Sequence, residues 1–472
     1  MRESLLSLCY LAASILFILC LRGLSSPEQG RRGILYGEVG MAIAVVATLL
    51  DKNILSYQWI IAGLLLGSTI GVAISLRIPM TKMPERIALS HAFGGLATSL
   101  VGISEYYKHF GGLGAAPHEP MHPFTLGALG FEVFLGSLTF TGSLMAFGKL
   151  QGLISGAPIT FKGQNYVNLS LFAAAGGVLA YKVAFPAENV PLFYVVAGIG
   201  FILGVAGVLP IGGADMPVVV SLMNSYAGLA AAATGFALNQ PILIISGALD
   251  GSSGLLLSLL MSKAMNRSFS NVLFGAFGTD GGAAPTAAGG AARPYNEATV
   301  EDAAAVLKAS ESVIIIPGYG MAVSQAQHAV RDLAAALEKR GTEVRYAIHP
   351  VAGRMPGHMN VLLAEANVPY DALFDLDMIN DDFSRTDAVL VVGANDVVNP
   401  AAKTDKTSPI YGMPVFNVEQ SKSVIVLKRS MNTGFSGVDN DLFYEPNTMM
   451  VLGDAKKTIL SLVSEVKESH GH

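Results

Sequence analysis

The chain divides into two parts of different composition, and this division constrains its fold more than any other feature. Residues 1–265 are almost entirely apolar, whereas the rest alternates short apolar strand patterns with helical patterns. With 51% hydrophobic and 14% charged residues among 472, the chain has the composition of a membrane protein. We therefore predict a polytopic α-helical membrane bundle followed by an α/β domain. The net charge of −5 argues against a nucleic-acid partner.

Apolar runs of about 20 residues predict nine membrane spans. They lie near residues 5–21, 34–50, 56–76, 87–103, 124–147, 166–185, 191–211, 217–237 and 241–262. The first run is longer than the apolar core of a signal peptide and precedes a basic cluster, so we interpret it as a span. Cys9 and Cys20 lie in this run about 16 Å apart along one helix, too far to form a disulfide.

The distribution of basic residues predicts the orientation of the spans, because basic residues favour the cytoplasmic side. An odd number of spans puts the two termini on opposite sides. With the N-terminus outside, the cytoplasmic breaks hold most of the basic residues, namely Arg22, Arg31, Arg32, Arg77, Lys82, Arg86, Lys149, Lys162, Lys263 and Arg267. The outer side then holds Arg2, Lys52, Lys108 and Lys182. This places the C-terminal domain in the cytoplasm.

The remainder of the chain predicts a linker at 266–298 and a domain at 299–472. Gly278–Gly290 is rich in Gly, Ala and Pro, which is typical of a flexible linker. Thr299 and Asp302 form a helix N-cap pattern before a helix at 303–310. Alternating patterns then predict a doubly wound parallel sheet of Rossmann type covered by helices. The strands are expected at 312–316, 343–348, 371–375, 388–392, 414–418 and 423–428, and the helices at 321–340, 357–367 and 454–467.

Five polar residues inside or beside the spans are candidates for function, because ionisable groups are costly in a membrane. His91 lies well inside the fourth span and can carry a proton near neutral pH. A structural, hydrogen-bonded histidine is the alternative. Asn224 lies in the eighth span, and Asp215 precedes that span, where it could also serve as a helix cap. Glu132 and Asp250 are each as compatible with packing as with proton transfer.

A nucleotide-binding turn follows the first predicted strand of the C-terminal domain. The strand at 312–316 runs into Gly318-Tyr-Gly-Met-Ala-Val323, a G-x-G-x-x-V pattern followed by a helix. In such turns the first glycine allows a tight turn, the second allows close approach of a pyrophosphate, and the helix N-terminus attracts it. Val323 replaces the third glycine, so the motif depends on its strand–turn–helix context.

The residues after the later strands favour NADP over NAD. A site for NAD is expected to hold a carboxylate near the end of the second strand, but Arg345 to Gly357 contains none. Lys428, Arg429 and Ser430 lie at the carboxyl end of the strand at 423–428 and suit a phosphate dianion. An ordinary solvated basic pair is the alternative. No metal site is predicted.

Together these motifs resemble the beta subunit of proton-translocating NAD(P) transhydrogenase over essentially the whole chain. In the C-terminal part the resemblance rests on Gly318–Val323, His349–Met359, Gly393–Asp396, Lys428–Asn432 and Gly453–Lys456. In the membrane part it rests on Gly212-Gly-Ala-Asp-Met-Pro217 and Asn224-Ser-Tyr226.

The resemblance implies that hydride passes from NADH to NADP⁺ while a proton moves inward across a bacterial inner membrane. It implies NADP(H) on this chain and NAD(H) on an alpha subunit, in an assembly with two copies of each subunit surrounded by membrane lipid. Consistently, the chain contains a single G-x-G-x-x-V domain.

The resemblance also implies site residues. The proton-path positions are His91, Asn224, Asp215 at the junction with the domain and, less strongly, Ser143, to which we add Glu132 as a candidate. At position 250 the resemblance leads us to expect an apolar residue, where this chain has Asp250. The nucleotide-binding positions are Gly318, Tyr319, Gly320, Met321, Ala322, Val323, Ser324, Val351, Ala352, Gly353, Arg354, Met355, Gly393, Ala394, Asn395, Asp396, Lys428, Arg429, Ser430, Met431, Asp454 and Ala455. The rival hypothesis is a transporter or channel gated by a nucleotide, without redox chemistry.

Overall fold

The structure is a computed structural model in which the chain forms two compact units. One unit comprises Met1–Ile211 with Val219–Ser258, and the other comprises Gly212–Val218 with Leu259–His472. The Gly/Ala/Pro-rich stretch Gly278–Gly290 of the predicted linker, with Lys52 and Arg267, lies outside the described residues. Those are residues 2–25, 29–50, 57–110, 121–156, 158–212, 215–266, 269, 293–355, 357–408, 410–434 and 437–468.

The described part of the apolar half contains nine α-helices. Eight of them are long and apolar enough to cross a membrane. The ninth, α7, is apolar but has 17 residues, about 26 Å, and is shorter than the predicted span at 191–211. The helices are Arg2–Leu24 (α1), Gly30–Leu49 (α2), Gln58–Arg77 (α3), Met83–Phe110 (α4), Pro123–Leu150 (α5), Gln164–Ala184 (α6), Leu192–Val208 (α7), Met216–Ala237 (α8) and Pro241–Ala264 (α9). The predicted helical bundle is confirmed, and Cys9 and Cys20 are free thiols on α1.

Small residues and hydroxyl groups bring α4, α5 and α7 into close contact. A Cβ added to Gly136 of α5 would lie 2.7 Å from the carbonyl oxygen of Gly95 on α4, so the two backbones nearly touch. The hydroxyl groups of Ser99 and Ser137 are 2.9 Å apart across the same pair of helices. Thr141 donates a hydrogen bond to the Phe201 carbonyl of α7 at 2.8 Å. In contrast, α3 buries no side chain against the described residues.

The second unit is built on a parallel sheet of six strands in the order β3-β2-β1-β4-β5-β6, which confirms the predicted doubly wound domain. The central strands are apolar on both faces, as expected where helices cover a parallel sheet. Their side chains Ile314, Val389, Val391 and Val424 are fully buried. The strands are Ser312–Pro317 (β1), Glu343–Ile348 (β2), Leu373–Asp375 (β3), Ala388–Val392 (β4), Ser423–Lys428 (β5) and Thr448–Leu452 (β6).

The helices of this unit include the predicted helix with its capping pattern. Thr299 and Asp302 form a reciprocal capping box at the start of α10. The helices are Val300–Ala309 (α10), Tyr319–Ser324 (α11), Gln327–Glu338 (α12), His358–Glu365 (α13), Leu376–Ile379 (α14), Ala401–Thr404 (α15) and Ala455–Glu468 (α16). The predicted strands other than 414–418, and the helices predicted after α12, agree with the structure to within two residues at each end.

The strand predicted at 414–418 was wrong, and a strand at Thr448–Leu452 was missed. The backbone of the 414–418 segment bonds to loops instead of to a neighbouring strand. Phe416 N donates to the Val397 carbonyl at 3.0 Å, and Asn417 N donates to the Asn380 side chain at 2.8 Å. An apolar run bonded in this way buries its side chains as a strand does, so the sequence pattern did not distinguish the two.

The single helix predicted at 321–340 was also wrong, because a tight turn divides it into α11 and α12. Gln325 has a left-handed conformation with φ of 51°, and Ala326 N donates to the Met321 carbonyl at 3.0 Å. These features are typical of a Schellman C-cap. The apolar periodicity continues through the turn, which therefore left no break in the pattern.

Candidate functional site

The predicted nucleotide-binding residues follow the carboxyl ends of five neighbouring strands. Most of them lie in the segments that follow β1, β2, β4, β5 and β6, with Tyr319–Ser324 on α11, Lys428 at the last position of β5 and Ala455 at the start of α16. Because the sheet is parallel, these strand ends meet at one edge. The strand order reverses between β1 and β4, and ligands of doubly wound sheets bind at this switch point.

The turns after β1 and β4 are in direct backbone contact at the switch point. Gly318 N donates to the Val392 carbonyl, and Gly320 N to the Gly393 carbonyl, both at 2.9 Å. A Cβ on Gly320 would lie 2.6 Å from the Gly393 Cα, and Gly393 has φ of 63°. The glycine at position 320 is therefore required by the protein backbone itself, in addition to any approach of a pyrophosphate.

The loop after β2 folds onto the turn after β1. The Arg354 guanidinium carbon lies 4.3 Å from the centroid of the Tyr319 ring. The Arg354 backbone N–H donates a hydrogen bond to the His358 Nδ1 at 3.1 Å, and this bond fixes the backbone position of Arg354. Gly353 has φ of 112°, and a Cβ there would lie 2.6 Å from the His358 side chain. Two segments that are distant in sequence thus form one wall of the candidate site.

His349 fixes the start of the same loop. Its Nδ1 accepts a hydrogen bond from Val351 N at 3.3 Å, so Nε2 carries the proton and donates to the Pro414 carbonyl at 2.8 Å. Burial lowers the pKa of His349 to about 4, which keeps the imidazole neutral at physiological pH. The 414–418 segment, misassigned as a strand, thereby supports the candidate site.

The loop after β4 presents an amide at the switch point. The buried Asn440 side chain donates to the Asn395 carbonyl and to its side-chain oxygen, both at 3.0 Å. These bonds orient the Asn395 amide, whose Nδ2 is buried and has no hydrogen-bond partner among the described residues. A buried donor without a partner is costly, and a polar ligand atom would satisfy it. Asn440 was not found from the sequence, because no motif marks it.

The two cations after β5 differ in their surroundings. Lys428 Nζ donates to the Asn432 carbonyl at 2.7 Å and lies 4.5 Å from the centroid of the Phe443 ring. Burial lowers the pKa of Lys428 to about 8, against the opposing effect of Asp396 and Asp439. Arg429 is exposed and makes no hydrogen bond or ion pair with the described residues. Its guanidinium is therefore the more available of the two for an anion.

Three other predicted positions have structural partners in the domain. Asp454 Oδ1 accepts from Lys457 N at 3.1 Å and so caps α16. Ser324 donates to the Gly320 carbonyl at 2.8 Å, within α11. Met431 packs against the sheet core. Their sequence patterns therefore have an adequate explanation in folding alone.

In the membrane unit the structure brings His91, Asn224 and Asp250 together from α4, α8 and α9. The Asn224 Nδ2 donates to the Asp250 Oδ1 at 3.0 Å. Asn224 and Asp250 are both close enough to His91 to affect its protonation, and the buried His91 Nδ1 has no hydrogen-bond partner among the described residues. The sequence shows that each of these residues is polar inside an apolar span. Their proximity to one another follows only from the packing of the helices.

Ser143 and Glu132 both lie on α5, at different levels of the bundle. The close approach of Gly95 to Gly136 and the Ser99–Ser137 contact place Ser143 near the level of His91. Its hydroxyl is buried and has no partner among the described residues. Glu132 is fully buried beside Gly102, about three helical turns from His91 along α4. The structure does not bring Glu132 into the histidine group.

Asp215 lies immediately before α8 and belongs to the second compact unit. It is buried, and its backbone N–H donates to the Gly212 carbonyl at 3.1 Å. Pro217 occupies the first turn of α8, where proline is well tolerated. In the first unit, Lys149 Nζ binds the carbonyl oxygens of Leu209 and Ile211 at 2.6 and 2.8 Å, and so holds the chain that leaves α7.

The chain is similar to known proteins along nearly its whole length. The family model for the NAD(P) transhydrogenase beta subunit matches residues 6–465. The NAD(P) transhydrogenase subunit beta of Rhodospirillum rubrum is 50% identical over 466 residues, covering 98% of this chain and 99% of that protein. A second sequence of this name, from a specified strain of the same organism, has the same identity and coverage.

Proposed function

Since this chain belongs to the NAD(P) transhydrogenase beta-subunit family, we propose that it binds NADP(H) and couples hydride transfer to proton translocation. The family is one of oxidoreductases that use NADP(H) and NAD(H). In the proposed reaction NADH, held by an alpha subunit, reduces NADP⁺ held by this chain, while a proton moves inward across the membrane.

The observation that carries the nucleotide assignment is the convergence of five loops at the carboxyl edge of the sheet. Gly318 and Gly320 form the turn for a pyrophosphate, and the buried Asn395 Nδ2, which has no partner among the described residues, offers a donor. Arg429 supplies a cation for the 2′-phosphate that distinguishes NADP from NAD. The nicotinamide supplies the hydride chemistry when it is bound, and the residues of this chain bind and orient it.

In the membrane unit we propose that His91 holds the translocated proton, with Asn224 and Ser143 as its polar neighbours. A histidine is suited to this because both of its charge states are accessible near neutral pH. Asp215, at the start of α8, is proposed to pass the effect of the proton to the nucleotide domain. Such coupling must be reciprocal: a proton on His91 changes NADP(H) affinity, and NADP(H) changes proton affinity.

We further propose a bacterial inner-membrane assembly of two alpha and two beta subunits, with the N-terminus of this chain outside and its C-terminal domain in the cytoplasm. The excess of basic residues on the cytoplasmic side supports this orientation. Lys149 and Lys182, counted on opposite sides, each bind backbone carbonyl oxygens at helix ends. If both lysines are left out, the cytoplasmic side still holds more basic residues than the outer side, by the same difference.

The proposal is tested with this chain and its alpha partner reconstituted into liposomes that report internal pH. NADH and NADP⁺ should yield NADPH with a change in internal pH, which a nucleotide-gated transporter without redox chemistry would not do. The His91→Ala variant should lose the pH change and most steady-state turnover. A single turnover of NADP⁺ already bound should survive, because no nucleotide contact is altered.

His109→Ala is the matched control, since His109 lies on the same helix and, among the described residues, bonds to Glu105 alone. It should pump as the parent does. Normal pumping by His91→Ala would refute the role of His91, and absence of NADPH formation by the parent would refute the enzymatic proposal.

A further inference from the structure

Asp250 lies beside two interhelical hydrogen bonds that join α8 to α9. Ser221 donates to the Gly254 carbonyl at 2.9 Å, and Ser225 donates to the Gly251 carbonyl at 2.7 Å. A Cβ on Gly254 would lie 2.8 Å from the backbone nitrogen of Ser225, so the two helices are in close contact there. The register of α8 against α9 is therefore set by packing next to the Asn224–Asp250 pair.

The Asn224 amide bonds to Asp250 on the neighbouring helix. Its Nδ2 donates to the Asp250 Oδ1 at 3.0 Å and lies 3.4 Å from the Asp250 carbonyl oxygen. Asn224 and Asp250 both act on the protonation of His91, whose buried Nδ1 has no hydrogen-bond partner among the described residues. Asn224 thus holds the Asp250 carboxylate, and this pair from α8 and α9 lies beside the imidazole on α4.

We propose that Asp250 is the charge partner of His91, with Asn224 as the bridge that positions both groups. This inference rests on the proposed role of His91 in proton translocation. Among the described residues, Asp250 is the one charged group whose electrostatic field acts on His91. The reverse also holds, since His91 is the one titratable group that acts on Asp250. Asp250 is a positioning residue in this account, since the proton binds at the imidazole.

The physical reason is the cost of a lone charge in a membrane. A protonated imidazole without a counter-charge is expensive at low dielectric, whereas an imidazolium beside a carboxylate forms a neutral pair. When the proton leaves, the carboxylate keeps its hydrogen bond from Asn224. This hydrogen bond offsets part of the cost of the charge that remains on Asp250.

The test compares the pH dependence of proton-linked turnover in the assembled enzyme in liposomes. Asp250→Asn keeps the size of the side chain and an acceptor for Asn224 but removes the negative charge. The pH midpoint of turnover should move down by about one pH unit, because an opposite charge at close range favours the protonated imidazole. Asp250→Glu should retain the parental midpoint. Ser252→Ala, which removes a hydroxyl bonded only within α9, is the matched control.

The outcomes separate this inference from the proposed function. An unchanged midpoint in Asp250→Asn, with pumping lost in His91→Ala, would refute the role of Asp250 alone. Normal pumping in His91→Ala would refute both. If Asp250→Asn fails to assemble, Asp250→Ser replaces it. Failure of both neutral variants to assemble would identify Asp250 as a structural residue and would contradict the proposal.

Discussion

The Arg354 guanidinium lies over the Tyr319 ring, with 4.3 Å between its central carbon and the ring centroid. This contact joins the loop after β2 to the turn after β1, and so determines the width of the candidate site on that side. Gly353, with φ of 112°, supplies the backbone conformation that allows the loop to turn toward the ring.

We expect Arg354→Ala to weaken NADP(H) binding by about 1–2 kcal/mol, because a cation–π contact of about this strength holds the loop in place. Calorimetric titration of the full assembled enzyme measures the effect. Arg385→Ala, which removes an exposed arginine at the amino end of β4, should bind NADP(H) normally. Unaltered affinity in Arg354→Ala would show that the loop is held without the stacked pair.

Arg429 and Lys428 should contribute unequally to the selection of NADP. Arg429→Ala should weaken NADP(H) binding by about 1.5–3 kcal/mol, the value of a charged hydrogen bond, and leave NAD binding to this domain unchanged. Lys428→Ala should cost less, since Lys428 already bonds to the Asn432 carbonyl and is partly neutral above pH 8. Competitive binding of the two nucleotides measures both. Equal losses in the two variants would contradict this assignment.

Gly320→Ala should destabilise the nucleotide domain by about 1–3 kcal/mol and also abolish tight NADP(H) binding. The added Cβ would meet the Gly393 Cα at 2.6 Å, and two backbones cannot separate without moving both turns. Hydrogen exchange of the β1 and β4 amides measures the first effect, and titration measures the second. Gly176→Ala on α6, where a Cβ meets nothing within 4 Å, should change neither.

The stability of the nucleotide domain should fall as the pH drops from about 6.5 to 4. The pKa of His349 is about 4 in the folded chain and near 6.5 when unfolded, so in this window the unfolded chain binds more protons. The free energy of unfolding should decrease by up to about 3 kcal/mol across it.

Hydrogen exchange of the sheet amides, corrected for the intrinsic pH dependence, measures this loss. His349→Gln should remove most of the His349 contribution, whereas His328→Gln, an exposed site on α12, should leave it intact. If the free energy of unfolding of His349→Gln falls with decreasing pH as steeply as that of the parent, other groups cause the acid sensitivity.

Hydrophobic pattern and glycine spacing determined much of this protein from the sequence alone. The helical bundle, the parallel sheet and the turn at Gly318–Val323 all follow from local rules of burial and backbone conformation. Such rules are encoded residue by residue, which is why they can be recognised without a structure. These local rules failed for the segment at 414–418, because a buried loop and a buried strand have the same apolar sequence pattern.

Tertiary structure decided which of the marked residues act together. Asp250 was one of several acidic residues in or beside the apolar spans. Only the packing of α8 against α9 brings its carboxylate to Asn224. Arg429 and Lys428 are equivalent as sequence, and their difference arises from the burial of one amine against Phe443. Contacts between distant elements depend on register, close approach and the local dielectric, and these properties exist only once the chain is folded.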